Sequence, residues 1–285
     1  MKNVRYEEEG VASAVGTIFA ILIFVSLLSI FVTTYMPATM MANEEQYSSS
    51  IMNSMVQLAS TINQMNINFQ PGEEALIPFN LESSYVPIFS SPTFGYINIS
   101  ANSPGQEGYL TLAVYNGPVN PINKVSQDFS VGGALMAFTN NRYFTDEAWS
   151  YEISSLYYFN PYQKNQSNTN LISGLIHINP KVNGMNNITI DLINIIGGPN
   201  TISTSSPVTI SLTAINKQTF SYIGSNISMN FDSFILSKSI INSINQSISL
   251  DPSISWGHGV LSLGSHTQIY INELTIIVGM SSFNP

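Results

Sequence analysis

Few residues in this chain have the types and spacing that do chemistry. Its three histidines are His177, His258 and His266. His258 sits in Gly257-His258-Gly259, close to His266, with Asp251 and Glu273 nearby. A zinc site needs three or four ligands at workable spacing, and neither HExxH nor a comparable pattern is present. A Ser-His-Asp hydrolase usually shows a nucleophile elbow, GxSxG, which is absent. No GxxxxGK[ST] loop occurs, and no GxGxxG follows a strand-like run. With no cysteine there is no disulfide, zinc-thiolate site or thiol nucleophile. The reading is therefore non-enzymatic, with no catalytic, metal or cofactor-binding residues and no cofactor.

Modification is the chemistry that the sequence does allow. Asn-x-Ser/Thr sequons stand at Asn98, Asn165, Asn187, Asn226 and Asn245. Asn165, in the polar, turn-rich segment 160–170, is the favoured acceptor, whereas Asn98 and Asn187 fall in strand-like runs. The densest patch of charge and aromatics is 137–159, AFTNNRYFTDEAWSYEISSLYYF, with Arg142, Asp146, Glu147 and Glu152. It reads as a binding strip or, better, as two strands and a connecting loop whose aromatics face the core.

The elements that must carry these residues fall into two regimes. Residues 11–36, VASAVGTIFAILIFVSLLSIFVTTYM, contain no charge and are followed by Pro37. At about 1.5 Å per residue such a helix exceeds the roughly 30 Å hydrocarbon core of a bilayer. It is too long for a cleaved secretory signal. Lys2 and Arg5 precede it, Glu44 and Glu45 follow it, and the next basic residue is Lys124. That asymmetry predicts a single-pass protein of the cell membrane with a cytoplasmic amino terminus and an extracellular body. After Pro37, which should bend the helix, Tyr47, Ile51, Met55, Leu58, Ile62 and Met65 recur three or four apart. They form one apolar stripe, which packs on its own domain or is shared between subunits; Pro71-Gly72 ends the helix.

From Ala75 the period changes to two. Ile97 and Ile99, Ile188 to Leu192, and Ile269 and Ile271 alternate with polar neighbours. Further strand-like runs cover 109–115, 129–138, 150–159, 171–178, 208–212, 220–223 and 227–231, separated by turns such as Asn116-Gly117-Pro118. A helix capped by Asp232 or Ser233 interrupts them, with Phe234, Ile241, Ile244 and Ile248 on one face. The fold class is α+β: a long N-terminal transmembrane helix continuing into a stalk helix, then a mainly antiparallel β-sandwich-like head. The expected divisions are a charged leader 1–10, a transmembrane helix 11–36, a stalk helix 37–68 and a β-rich domain 69–285, with a possible subdivision near 160–170.

Composition narrows function by exclusion. Of 285 residues only 9% are charged, 17 acidic against 8 basic, so the net charge is −9. Scattered bases make no patch for phosphates, and nucleic acid is not an expected partner. With so few carboxylates to protonate, stability should depend little on pH.

The string Glu9-Gly10-Val11-Ala12-Ser13-Ala14-Val15-Gly16-Thr17-Ile18-Phe19 resembles the amino-terminal segment of archaeal type IV pilin-like proteins. In that family a prepilin peptidase removes a short charged leader on the cytoplasmic side, and the apolar helix then forms a filament core. The resemblance implies cleavage between Gly10 and Val11. It also implies the bilayer, self-assembly or other pilin-like subunits, and the peptidase as partners. Two positions depart from the pattern: Glu7, Glu8 and Glu9 stand where the family usually has basic residues, and Val15 stands where bacterial pilins carry glutamate. The expected function is a structural pilin-like or pseudopilin-like subunit of a cell-surface filament or secretion-type assembly. The alternative is a non-polymerising single-pass adhesin or binding protein; a membrane-tethered hydrolase ranks third.

Overall fold

A computed structural model describes residues 2–100, 108–162, 169–182, 185–198, 200–232, 241, 244–245 and 254–282. The chain begins with helix α1 (Lys2–Ile30), passes through a π-helical turn (Phe31–Tyr35) and continues as helix α2 (Met36–Ile67). The π turn has a local cause. Pro37 has no N–H for the Thr33 carbonyl and its ring crowds that carbonyl, so the ladder widens just upstream. Met36 N–H accordingly donates to the Phe31 carbonyl, five residues back. From Ser13 onward the apolar helix is long and apolar enough to cross a membrane, and its most apolar window has no buried residue.

The strands are β1 (Glu74–Phe79), β2 (Tyr96–Ser100), β3 (Tyr109–Tyr115), β4 (Phe129–Val131), β5 (Ala134–Phe138), β6 (Ala148–Glu152) and β7 (Ser155–Phe159). They continue as β8 (Thr169–Ser173), β9 (Ile176–Val182), β10 (Met185–Ile196), β11 (Asn200–Ile202), β12 (Val208–Asp232), β13 (Ser255–Gly257) and β14 (Val260–Ser282). One sheet runs β4-β3-β12-β14-β10-β9, with β1 on β12 and β13 on β14; the other runs β11-β2-β5-β6-β7-β8. Among the described residues, strand pairing is antiparallel except between β10 and β14. Both keep an alternating pattern rather than a continuous apolar run: Ile188, Ile190 and Leu192 of β10, and Ile269, Ile271, Leu274, Ile276 and Val278 of β14, are buried, with polar residues interleaved.

Two clusters form the core. In the first, the α2 stripe meets both sheets: Tyr47, Ile51, Met55, Leu58, Ile62 and Met65 pack with Phe79, Ile99, Leu135, Trp149, Leu212 and Ile276. Those stripe residues are between 0 and 4% exposed, so of the two partners open to the stripe, its own domain is the one it contacts. The second cluster joins the sheets directly, for example Tyr157 and Phe159 with Leu112, Ile190 and Ile271.

Several strand-like runs end differently from the expectation, for physical reasons. The run 129–138 splits into β4 in one sheet and β5 in the other at Gly132-Gly133. Gly133 has φ +93, and a Cβ there would lie 2.6 Å from the Ile195 carbonyl oxygen. The run 150–159 is the β6–β7 hairpin, turned by Ile153 (φ 44) and Ser154 (φ 62) without the Asn-Gly that usually marks such a turn. The run 171–178 divides at Gly174 into β8 and β9, one in each sheet. Conversely, 208–212, 220–223 and 227–231 are one strand, β12, whose register shifts at Ala214/Asn216 and Gly224/Asn226. Each shift restarts the alternation on the other face, so one bulged strand reads as three. The helix expected from Asp232 or Ser233 lies mostly outside the described residues; Ile241, Ile244 and Asn245 within it are helical.

Candidate functional site

The first site is the apolar helix and the joint that holds it to the β domain. From Ser13 to Ile30 every residue is exposed, including Phe19, Phe24, Leu27 and Ile30. Thr17, Ser26 and Thr33 would be polar intrusions on such a surface, but each hydroxyl bonds a carbonyl one turn back in the same helix. The surface offered to the surroundings is predominantly apolar, and these three hydroxyls are satisfied within the helix.

Past the π turn the helix is gripped. Glu44 is fully buried, and its carboxylate accepts the backbone N–H groups of Arg142 (3.0 Å), Tyr143 (2.7 Å) and Phe144 (2.8 Å). Thr93 Oγ1 adds a contact at 3.4 Å. Three successive main-chain donors make an anion-binding nest, which satisfies a charge that burial would otherwise oppose. One turn along, Tyr47 OH donates to the Leu81 carbonyl at 3.2 Å. It fits because residue 95 is glycine: a Cβ there would lie 2.1 Å from that hydroxyl. Burial holds the Tyr47 phenol well above its usual range. The patch 137–159 thus forms strands and a loop, with Trp149, Tyr151, Tyr157 and Phe159 buried; its loop backbone is what binds Glu44. Glu44 was not among the sequence-derived site residues, although it lies in phase with the stripe, four positions after Met40 and three before Tyr47.

The second site is a polar niche against α2. His177 Nε2 lies 3.2 Å from Asp191 Oδ2, and Asn272 Nδ2 donates to Asp191 Oδ1 at 2.7 Å. Strand register assembles it: β9 and β10 carry His177 and Asp191, and Asn272 of β14 is directly opposite Asp191. The bond to Asp191 raises the His177 pKa above its usual value, against burial. Burial pushes Asp191 upward, but hydrogen bonds from His177, Asn272 and Asn66 outweigh it and hold the carboxyl below its usual value. The adjoining cavity, about 50 Å³, is lined by residues including Asn66, Tyr151, Ser154, His177 and Asp191. That is room for a water or two. Ser154 Oγ donates to the Asp191 backbone carbonyl at 2.6 Å, so its proton is not directed at the imidazole. A serine, a histidine and an aspartate meet here without forming a nucleophile relay.

The other candidates are dispersed. His258 is exposed with φ 51 at the β13–β14 turn, Glu273 is partly buried, and Asp251 and the side chain of His266 lie outside the described residues. Among the described residues no three His, Asp or Glu side chains group so as to hold a metal ion. Of the sequons, Asn165 lies outside the described residues. Asn98 in β2 accepts from Thr201 Oγ1 at 3.1 Å, and the Asn187 Oδ1 in β10 is buried. Asn226, at the β12 bulge, spends its amide on the Gly117 carbonyl at 2.7 Å. Asn245 is exposed and helical. Gly10 and Val11 lie within α1, whose helix runs through them unbroken. Comparison with protein families, with curated proteins and with solved structures finds no match to this chain.

Proposed function

We propose that the chain is a structural, pilin-like subunit of a cell-surface filament or secretion-type assembly, with its β-sandwich-like head outside the cell and its amino terminus in the cytoplasm. One observation carries this reading: a single helix is bare and predominantly apolar from Ser13 to Ile30, and beyond its π turn one face of it is buried in the head. Such a helix transmits whatever its bare half binds, lipid or neighbouring helices, rigidly to the head. Gly16 and the small Ala12, Ser13 and Ala20 permit close helix-to-helix approach in a bilayer or filament core. In this account no residue is catalytic and no cofactor is required. Exposed Asn245 and the sequon at Asn165 are the acceptors for glycosylation.

The test is the mature amino terminus, by intact mass on membranes of the native host. A chain beginning at Val11 supports processing by a prepilin peptidase. A retained Met1 overturns the pilin-like reading and leaves the second one, a non-polymerising anchored surface protein. One feature favours that second reading: the α2 stripe is used up inside its own head, which leaves only the bare half and the outer surface for subunit contacts.

A further inference from the structure

After α2 the chain returns along the helix toward its apolar half. Ser54 Oγ donates to the Pro78 carbonyl (2.9 Å), Tyr47 OH to Leu81, Asn43 Nδ2 to the Ser84 carbonyl (3.5 Å), and Ser90 Oγ to Met40 Sδ (3.1 Å). The path ends with the Phe89 ring 5.0 Å from that of Phe31, inside the uncharged run 11–36. The excursion is a built loop. Its neck closes where Ser83 N–H donates to the Thr93 carbonyl (3.0 Å) and the two hydroxyls meet at 2.7 Å. At its tip the Val86 carbonyl accepts from the N–H groups of Phe89 and Ser90.

What this scaffold presents is out of place in water. Ile88 is 98% exposed, with φ 74, a conformation that β-branched residues rarely adopt. Tyr85 and Phe89 beside it are exposed, and residues 83–93 contain no charge. Phe31 lies about 7 Å of helix before Met36, while the apolar run, about 39 Å long, exceeds the hydrocarbon core by about 9 Å. With that excess on the head side, Phe31 and the Phe89 ring tilted against it come level with the boundary between acyl chains and headgroups, where interfacial segments bury their apolar faces.

We infer that loop 83–93 is a second membrane contact, in which Ile88 and Phe89 enter the interfacial layer of the bilayer that α1 crosses. Tyr85 of the loop and exposed Tyr35 of the helix stand at headgroup level, as interfacial aromatics do. The occupant is lipid because the loop's anchoring partner, Phe31, itself belongs to the spanning run. A helix alone leaves a head free to rotate about its axis; a helix plus a wedge sets which face of the head looks away from the membrane. The inference rests on α1 spanning the bilayer.

The absence of cysteine makes the test clean. Ile88→Cys, Ile122→Cys and Phe24→Cys are each labelled with a polarity-sensitive fluorophore in the full chain, reconstituted at one copy per phosphatidylcholine nanodisc. Ile122, 93% exposed in the short turn Pro121–Asn123, is the matched control, because the core beneath adjoining β3 contains no α2 residue. The expected result is that nitroxide-labelled lipid quenches the label at 88 several-fold more than that at 122, while aqueous iodide does the reverse. Equal access of iodide to 88 and 122, with 24 quenched by lipid, overturns the loop contact alone. Escape of 24 from lipid overturns the spanning reading beneath it. Shielding of 88 only when two copies share a nanodisc identifies the occupant as a second chain and overturns the lipid assignment.

Discussion

Glu44 shows how one side chain fixes the relation between helix and head. A buried carboxylate is tolerated because three peptide N–H groups converge on it, and removing it strands those donors away from water. Glu44→Ala should therefore destabilise the protein by about 3 kcal/mol. For a domain of this size that is roughly 6–12 °C in Tm, read from thermal melts of the full chain in detergent. Exposed Glu45, one position on, is the control, and Glu45→Ala should stay within about 0.5 kcal/mol; equal losses would refute the nest. The niche gives a second prediction at this scale, with a sign. His177 titrates above its usual 6.5, so its contribution is complete below that pH and is lost as pH rises through the raised value. Asp191 titrates below its usual 3.8, so its contribution is present above that pH and is lost as pH falls through the lowered value. The pair stabilises most between those two pH values. The Tm gap between the native chain and Asp191→Asn should be widest there and narrow above neutrality, and a gap constant from acid to alkali would show that the pair does not titrate as bonded partners.

At the scale of elements, α2 is as much core as support. Leu58, which has no exposed surface, belongs to the cluster that joins α2 to both sheets, so Leu58→Ala should cost about 2–5 kcal/mol. Met52, on the outer face of the same helix, should tolerate alanine within about 0.5 kcal/mol. Chemical unfolding of both variants checks this, and similar losses would mean that the stripe does not face the core. The stripe was legible in the sequence because a period of 3.6 repeated over many turns leaves little choice of face. Strand interiors were legible for the same reason, with period two, but their ends were not. Gly132-Gly133 and Gly174 move the chain from one sheet to the other without interrupting the apolar pattern, and the β12 bulges interrupt the pattern without ending the strand. Glu44 was readable from its phase, yet a lone acid near a membrane flank also fits a topology signal, and only the loop at 142–144 shows which role it has. The niche had no local signature, since Asn66, Ser154, His177, Asp191 and Asn272 come from five separate elements and meet through strand register.

For the whole molecule, the decisive feature is where apolar surface remains uncovered. The head closes its core with α2 and two sheets, whereas the helix before the π turn buries nothing from Ser13 to Ile30. Apart from the Phe31 ring against Phe89, the free energy that folds the head therefore comes from residues after Tyr35, and the tendency to leave water comes from residues before it. A chain beginning at Met36 keeps Met36, Met40, Glu44 and the full stripe. It should remain in solution without detergent and unfold with the same midpoint as the head of the full-length protein, while the full chain partitions to membranes. If the pilin-like assembly is built through the apolar helix, this fragment should also be monomeric by light scattering at concentrations where the full chain forms filaments. Filaments grown from the fragment alone would move the subunit contact into the head and end the helix-core account. Loss of cooperative unfolding in the fragment would instead mean that α1 contributes to the fold, against its complete lack of buried side chains from Ser13 onward.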